Sequence, residues 1–227
     1  MTTPRIVALV PMRHDSERVP GKNYRPLDGV PLFQHIVRSL LEVDAIGEIV
    51  IDTDSPTVGE QCAEVFPDRV RVIPRPEHLR DGSIPMNTIL LHDVEQADAD
   101  LYLQTHSTNP FLRSSTIARA IETLLEAMPD NDSLFSVTRL QTRLYDADGR
   151  PINHDPSVLL RTQDLPPVYE ENSNLYLFTA ETLRTRGNRI GERPLLFEID
   201  ALEATDIDDE TQFTLAEALA PIMRARH

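Results

Sequence analysis

Short β-rich runs alternate with helical patterns over most of this chain, and this alternation constrains its fold more than any other feature. Apolar runs predict buried strands at residues 5–10, 48–52, 70–73, 100–104 and 134–138. Apolar residues recur at helical spacing over residues 31–43, 58–66, 84–95 and 114–128. Strand–helix–strand connections are right-handed and place helices on both faces of a sheet. We therefore expect an α/β fold, a Rossmann-like three-layer αβα sandwich with a mainly parallel sheet.

Residues 140–171 interrupt this rhythm, because they hold several turn-forming pairs and few apolar runs. The segment is too long for an ordinary connection between two elements. It is either a disordered insertion or an ordered arm, and Tyr145 and Tyr169 favour an arm that packs on something, such as a second subunit. Strand patterns return at residues 174–178 and 195–199, and helical patterns at residues 180–185 and 210–224. We expect one domain over residues 1–227, with a protruding arm at about residues 140–172.

The charge balance argues against one class of partner. The chain has 37 acidic and 22 basic residues and a net charge of −15, whereas binding to nucleic acid needs a basic face. No apolar run reaches the roughly 18 residues of a membrane span, and the first residues carry no secretory pattern. One cysteine, Cys62, excludes an internal disulfide, and its helical context favours packing over a nucleophilic role. We expect a soluble, cytoplasmic protein that binds neither nucleic acid nor membranes.

A loop rich in cations, residues 11–23, follows the first predicted strand. It carries Arg13, Arg18 and Lys22 at the carboxyl end of that strand, where ligands bind in open α/β sheets. Arginine and lysine at this place favour an anion, most simply a chain of phosphates. The alternative is a solvated loop in which two acids of the same loop neutralise two of the cations. The composition of the loop alone does not separate these two interpretations.

An acidic turn near the end of the chain forms a second candidate site. Asp206 and Asp208 are one residue apart, so in an extended chain both carboxylates project to one side while Ile207 enters the core. Carboxylate oxygens suit Mg²⁺, which keeps water and substrate phosphates among its ligands. The alternative is capping of the helix at residues 210–224, since Asp208 or Asp209 precedes it. Together with a loop that binds phosphates, metal binding becomes the better interpretation.

Other strand ends carry polar groups, and several common motifs are missing. Arg75 and Gln104 follow two predicted strands, and the Gln104 amide can pair with a base edge or with a free backbone group. His14 and His106 can act as acids or bases, although loop histidines are more often bystanders. The sequence patterns of P-loop ATPases, of dinucleotide-dependent dehydrogenases and of the hydrolase nucleophile elbow are absent, which argues against those three classes.

Six short segments occur in an order that is typical of one enzyme family. They are Met12-Arg13-His14-Asp15-Ser16-Glu17-Arg18-Val19-Pro20-Gly21-Lys22-Asn23, Thr53-Asp54, Arg75-Pro76-Glu77-His78-Leu79, Leu103-Gln104, Arg161-Thr162-Gln163-Asp164-Leu165-Pro166 and Asp206-Ile207-Asp208. In these segments the chain resembles the acylneuraminate cytidylyltransferases, also called CMP-sialic acid synthetases, and the resemblance spans nearly the whole chain. It departs from the family pattern at His14-Asp15, at Glu17, after Gln104 and at residues 172–174, where the family usually has Asn-Gly-Ala. These departures leave the acceptor open.

The resemblance implies an enzyme, a Mg²⁺-dependent nucleotidyltransferase. It would join CMP from CTP to a sugar acid of the nonulosonic or sialic type and release pyrophosphate. Two alternatives stay open: cytidylyl transfer to another acid, such as a deoxy-octulosonate or a phosphonate, and a nucleotide-binding regulatory protein without activity.

The resemblance also implies roles for single residues. Nucleotide binding would fall to Arg13, Ser16, Arg18, Lys22, Asn23, Arg75, Ser83 and Gln104. Arg13, Lys22 and Asp208 would be catalytic, and Asp206 and Asp208 would hold Mg²⁺. The arm would make a homodimer and place Arg161 near the acceptor in the partner's site.

Overall fold

A seven-stranded sheet carries the fold of residues 4–225, the part of the chain that the computed structural model describes. In chain order the strands are β1 (Ile6–Leu9), β2 (Pro26–Leu27), β3 (Val30–Pro31), β4 (Ile46–Thr53), β5 (Val70–Pro74), β6 (Leu101–Thr105), β7 (Ser133–Leu140), β8 (Val168–Phe178) and β9 (Pro194–Glu198). β2 and β3 form a separate ribbon, and the others lie in the order β5-β4-β1-β6-β8-β7-β9. Among these seven strands of residues 4–225, only β8 runs antiparallel to its neighbours, so the prediction of a mainly parallel sheet is confirmed.

Helices cover both faces of this sheet. They are α1 (Leu32–Leu41), α2 (Pro56–Val65), α3 (Met86–Gln96), α4 (Ser114–Ala127), α5 (Ala180–Arg186) and α6 (Glu210–Arg224). Side chains alternate across β1: Ile6 and Ala8 pack with α1, α2 and α4, whereas Val7 and Leu9 pack with α3 and α5. The predicted three-layer αβα sandwich is therefore present. None of the helices within residues 4–225 is long and apolar enough to cross a membrane.

A third apolar cluster fastens α6 to the loop that follows β1. Val19 of this loop is buried with Ile207 and with Phe213 of α6. Arg25 Nη1 donates to both carboxylate oxygens of Glu210, at 2.7 and 2.8 Å. These contacts join segments that are about 190 residues apart in the sequence, and they bring the cationic loop and the acidic turn to one place.

The ladder between β7 and β8 extends into residues 140–171, the segment that interrupts the strand–helix rhythm of the sequence. Strand β8 begins at Val168, six residues before the predicted strand, and Leu140 pairs with Val168 at the end of the ladder. The sequence pattern misses this part because its outer half is mostly exposed and carries two glutamates, so it lacks an apolar run. Residues 141–167 connect the two strands, with one short 3₁₀ turn at Thr162–Asp164.

Cys62 lies in α2 and is 1% exposed, packed among core residues of the first face. Burial raises the pKa of its thiol to about 12, so the thiol stays protonated near neutral pH. The interpretation of Cys62 as a packing residue is confirmed.

Candidate active site

A cleft of about 790 Å³ opens where the loop after β1 meets the turn before α6. Eight of the predicted site residues line it: Arg13, Ser16, Arg18, Lys22, Asn23, Ser83, Asp206 and Asp208. Three others, Arg75, Gln104 and Arg161, do not reach its wall. The fold thus joins the cationic loop and the acidic turn into one site.

Hydrogen bonds from neighbouring strand ends hold the cationic loop in place. The His14 backbone N–H donates to Asp54 Oδ1 (2.7 Å), and its ring Nδ1 lies 2.8 Å from Ser55 Oγ. Asn23 Nδ2 donates to the Arg13 carbonyl (2.6 Å), while Asn23 Oδ1 accepts from Ser107 Oγ (2.7 Å). His14 and Asn23 therefore brace the loop, so that its cations are positioned before a ligand arrives.

The three cations of the loop differ in their partners. Arg18 Nη2 lies 2.9 Å from Asp208 Oδ1 in an exposed pair. Lys22 is nearly buried: its Nζ donates to the Ile207 carbonyl at 2.6 Å and lies 3.9 Å from Asp208. Burial lowers the pKa of Lys22, and Asp208 partly offsets that effect. Within residues 4–225, no carboxylate oxygen lies within 4.0 Å of an Arg13 nitrogen.

Neither acid of the loop neutralises these cations. Asp15 and Glu17 line the same cleft, but in the described part of the chain neither forms an ion pair. The Arg13 guanidinium instead lies against Gly82, where a Cβ would come within 2.6 Å of Arg13 Nη1. A side chain at residue 82 would therefore displace Arg13, and the glycine keeps its position open. This arrangement favours an anion site over a self-neutralised loop.

The acidic turn leaves two carboxylates facing the cleft. Asp209 caps α6, because its side chain accepts from the Gln212 N–H at 2.8 Å and Gln212 completes a capping box. The capping alternative thus falls to Asp209, and Asp208 is available to the cleft. Asp206 is mostly buried, burial raises its pKa, and within residues 4–225 its Oδ1 has no hydrogen-bond partner. Two carboxylates with an unsatisfied buried oxygen are a donor set that suits a hard divalent cation.

The cleft wall also holds residues outside the predicted set, and three of them, His106, Ser173 and Arg189, bear on its chemistry. The Arg189 guanidinium lies 3.5 Å from the centroid of the Tyr176 ring, and its Nη1 donates to Gln104 Oε1 at 2.6 Å. No sequence signal singles out Arg189, because the loop between α5 and β9 also holds Arg193 and no motif distinguishes the two arginines.

The sequence does draw attention to His106, as a possible acid or base, and to Ser173, as a departure from the family pattern. Burial, together with Arg189 and Lys22, lowers the pKa of His106 to about 3, so its ring is neutral at physiological pH. Ser173 has a φ of 56°, in the left-handed region, at the position where the resembling family usually has glycine. The departure at residues 172–174 therefore falls on the cleft wall.

Gln104 acts from behind the cleft wall. Its side chain is fully buried, and its Nε2 donates to the Thr105 carbonyl (2.9 Å) and lies 3.1 Å from His106 Nε2. With Oε1 bound to Arg189, both ends of the amide are occupied. Ser83 reaches the cleft, where its backbone N–H donates to Asp81 Oδ1 at 2.8 Å.

Arg75 belongs to a second, closed cluster of charges. It is 2% exposed and forms a buried ion pair with Asp52 of the neighbouring strand. Asp52, His92 and Asp93 place ligand atoms within 4.8 Å of one another, so the group could hold a metal ion. Arg75 already compensates Asp52, however, and burial together with Asp52 raises the pKa of Asp93 to about 9. Asp93 therefore keeps a proton at neutral pH and is placed to share it with Asp52.

Arg161 lies on the segment that links β7 and β8, away from the cleft of its own chain. It is exposed, and its Nε donates to Asp164 Oδ2 at 2.6 Å. Large apolar side chains are exposed on the same segment: Tyr145, Ile152, Val158, Leu159 and Leu160.

Comparison with known proteins gives a consistent result. The family model described as cytidylyltransferase matches residues 7–222. The CMP-N,N'-diacetyllegionaminic acid synthase of Legionella pneumophila is 32% identical, over 95% of this chain and 96% of that protein. The N-acylneuraminate cytidylyltransferase A of Danio rerio is 27% identical over 93% of this chain, which spans about half the length of that relative. The 3-deoxy-manno-octulosonate cytidylyltransferase of Escherichia coli is 31% identical over 57% of this chain and 48% of that protein.

Solved structures share the fold at lower identity. A CMP:2-keto-3-deoxy-manno-octonic acid synthetase complexed with CTP has a TM-score of 0.72 and 16% identity, over 96% of this chain and 99% of the other. The 4-diphosphocytidyl-2C-methyl-D-erythritol synthase of Anaerococcus prevotii has a TM-score of 0.70 and 13% identity, over 96% of both chains.

Proposed function

This chain belongs to the cytidylyltransferase family, and we propose that it transfers CMP from CTP to a hydroxyl group of a nonulosonic, sialic- or legionaminic-like sugar acid. Pyrophosphate is the second product. The observation that carries the proposal is the cleft in which Arg13 and Lys22 meet Asp206 and Asp208. The full-length similarity to a CMP-N,N'-diacetyllegionaminic acid synthase supports this choice of acceptor.

The cationic loop binds the triphosphate and stabilises the charge that develops during transfer. The acceptor oxygen attacks the α-phosphorus in line, its bond to phosphorus forms, and the bond to the β-phosphate breaks. Arg13, which has no carboxylate partner in the described residues, and the nearly buried Lys22 neutralise the departing pyrophosphate. Arg18 leaves Asp208 for a phosphate oxygen, because its present pair is exposed and weak.

Asp206 and Asp208 hold Mg²⁺ in this proposal. When bound, the ion screens the phosphates and polarises the α-phosphate for attack. The unsatisfied Asp206 Oδ1 supports the assignment. Asp208, which lines the cleft, accepts the proton of the acceptor hydroxyl in this proposal, directly or through water.

In this proposal four residues bind the ribose and the cytosine or support the residues that do: Asn23, Arg75, Ser83 and Gln104. Asn23 and Ser83 line the cleft. Arg75 and Gln104 stand behind it, and they support the site through Asp52 and through His106 respectively. Ser16 binds the triphosphate from within the loop, where its Oγ accepts from the Val19 N–H at 3.3 Å.

The arm at residues 140–172 makes a homodimer in which Arg161 reaches the acceptor in the partner's site. Leu159 is 89% exposed on this arm, which supports an apolar contact with a second copy. We place the protein in the cytoplasm, where CTP is available. Sedimentation of the wild type and of Leu159→Asp tests the dimer: the variant should sediment as a monomer, and a monomeric wild type would contradict this assignment.

Release of pyrophosphate from CTP tests the activity with four acceptors. They are N,N'-diacetyllegionaminate, N-acetylneuraminate, 3-deoxy-manno-octulosonate and a simple phosphonate, each with and without Mg²⁺. We expect release with one of the first two, and mass spectrometry of the CMP-linked product identifies it. Release with the octulosonate alone would favour the second candidate, to which the 31% identity with the Escherichia coli enzyme points. A thermal shift with CTP and no release with any acid would indicate a binding protein without activity.

A further inference from the structure

Arg189 forms no ion pair with a carboxylate in the described part of the chain. Its side chain lines the cleft and is largely buried, and burial lowers its pKa. Within residues 4–225, no carboxylate oxygen lies within 4.0 Å of its guanidinium. Glu171 is the carboxylate whose charge stabilises it most, and it accepts a hydrogen bond from the Tyr176 hydroxyl. Removing a cation from water without a partner is costly, so this position suits an anion supplied by a ligand.

Contacts on two sides hold the guanidinium in one orientation. Its plane packs on the Tyr176 ring at 3.5 Å, and Nη1 donates to Gln104 Oε1 at 2.6 Å. That is the one side-chain hydrogen bond that the group makes among the described residues. The other donors of the guanidinium are free to bind a ligand, and a planar fork of donors matches the geometry of a carboxylate.

The two partners of the Gln104 side chain fix which end of its amide faces Arg189. Because Gln104 Oε1 accepts from Arg189, its Nε2 is the end that faces His106 Nε2 at 3.1 Å. His106 is neutral and accepts there, so its proton sits on Nδ1. Arg189, Gln104 and His106 therefore form one chain of donors and acceptors, and the amide cannot turn without breaking both contacts.

Arg189 is separate from the cations that face the phosphates. Arg13, Arg18 and Lys22 belong to the loop after β1, which is braced from the end of β4 through Asp54. Arg189 rests on Gln104 of β6 and Tyr176 of β8, on the other side of β1 in the sheet. A CTP molecule held by the first group brings no further anion for Arg189, whereas the acid acceptor brings its carboxylate.

We propose that Arg189 binds the carboxylate of the acceptor sugar acid and thereby determines that the acceptor must be an acid. This inference rests on the proposed function. It assigns acceptor recognition within one chain to Arg189, whereas Arg161 would act from the partner subunit. Tyr176 and Gln104 position the guanidinium and do not themselves contact the acid.

A thermodynamic cycle between protein and ligand tests the inference. The probes are N,N'-diacetyllegionaminate and N-acetylneuraminate, each compared with its methyl ester, which keeps the sugar and removes the charge. Their dissociation constants are measured by calorimetry with a non-hydrolysable CTP analogue present, for the wild type, Arg189→Gln and Arg189→Lys. Arg184→Gln is the matched control, since Arg184 is exposed on α5 and does not line the cleft.

We expect Arg189→Gln to weaken binding of the acid by a factor of about 10 to 100, as for loss of a hydrogen bond to a charged group. The ester should bind the wild type about as weakly as it binds the variant, and Arg184→Gln should change neither constant. Arg189→Lys should recover part of the affinity, because it keeps the charge and loses the fork. The affinity for the CTP analogue should stay unchanged in every variant, which also shows that the variants are folded.

Several outcomes would overturn the inference. In Arg189→Gln, they are an equal loss of affinity for the acid and for the ester, or an unchanged affinity for the acid. In the wild type, the contradicting outcome is that none of the acids binds. If Arg189→Gln does not fold, the affinities for acid and ester are compared in the wild type and in Arg189→Lys. A preference for the acid that is smaller in Arg189→Lys supports the inference, and an equal preference in both contradicts it. A wild type that binds the acid but releases no pyrophosphate contradicts the proposed activity alone, and the cycle on binding still decides the role of Arg189.

Discussion

Two groups of aspartates and cations lie near the carboxyl ends of β4 and β1, and they differ in whether the chain itself satisfies their charges. In the closed cluster, Asp52 and Arg75 are 0% and 2% exposed and pair with each other. In the open cleft, Arg18 and Asp208 pair across the surface, and Arg13 has no acidic partner among the described residues. The same residue types thus serve the fold in one place and are free for a ligand in the other.

The difference follows from what covers each group. Helix α3 brings His92 and Asp93 over the Asp52–Arg75 pair, so water is excluded and every charge must be compensated internally. The cleft opens where the loop after β1 meets the turn before α6, and the Arg18 side chain at its wall is 64% exposed and stays accessible. Four predictions separate the two groups, and they are ordered by expected effect on a common scale, in which a factor of ten corresponds to about 1.4 kcal/mol.

Removing the charge of Asp52 should have the largest effect. Asp52→Asn leaves the Arg75 guanidinium buried without a counter-ion, so we expect the free energy of unfolding to fall by about 3–5 kcal/mol. Urea denaturation measures it. The matched control is Glu48→Gln on the same strand, whose pair with Arg71 is partly exposed and should cost less than about 1 kcal/mol. Equal losses in the two variants would show that the closed cluster does not stabilise the fold.

Removing the Lys22 charge should affect activity more than stability. Lys22→Ala should lower the turnover of CTP by a factor of about 100 or more, because a donor to the phosphates is lost. Lys22 is the only lysine of the chain, so CTP should also protect it from acylation, which peptide mass spectrometry measures. A thermal melt controls for loss of its bond to the Ile207 carbonyl. Near-normal turnover in a folded variant would contradict the assigned role.

The acidic turn permits a finer comparison between neighbouring aspartates. Asp206→Asn and Asp208→Asn should each raise the Mg²⁺ concentration for half-maximal rate by about tenfold, since each removes a charged oxygen ligand. Asp209→Asn is the control, because asparagine caps a helix about as well as aspartate and residue 209 caps α6. Identical metal titrations in all three variants would leave Asp206 and Asp208 without a role in metal binding.

At pH 5, Asp93→Asn should have the smallest effect of the four variants, and the variant should also change the pH dependence of stability. Folded Asp93 has a pKa of about 9, whereas an unfolded aspartate titrates near pH 4, so folded Asp93 keeps a proton that the unfolded chain releases. The free energy of unfolding therefore falls as the pH rises between about 4 and 9. An asparagine side chain resembles the protonated acid, so the variant should stay within about 1 kcal/mol of the wild type at pH 5. Denaturation measures the free energy of unfolding at pH 5 and at pH 8. The difference between these two values should be smaller in the variant than in the wild type, and an undiminished difference would contradict a protonated Asp93.

The layered sheet could be predicted from the sequence because its signals are local. A strand or an amphipathic helix shows its period within about ten residues, and the segment that became α6 was predicted with its observed ends. The inner half of β8 was predicted in the same way. Its outer half was not, because exposed residues such as Glu170 and Glu171 carry no periodic pattern, and only pairing with β7 defines that part of the strand.

Part of the cleft was also predictable, for a different reason. Arg13, Lys22, Asp206 and Asp208 stand in two short segments whose residue types suit phosphates and a metal, and the family resemblance joined those segments before their distance was known. The sequence did not show that Arg75 turns away from the cleft to Asp52, since a charge after a strand can point either way.

The sequence by itself therefore determined the order of layers, the cationic loop and the acidic turn, because each is encoded within a few neighbouring residues. Only the tertiary structure decided which charges were left for a ligand. It closed Asp52, Arg75 and Asp93 on one another, and it placed Arg189 on Tyr176 and Gln104 without an acidic partner among the described residues. Compensation of a charge depends on distances between remote segments and on exclusion of water, and no local pattern records either of them.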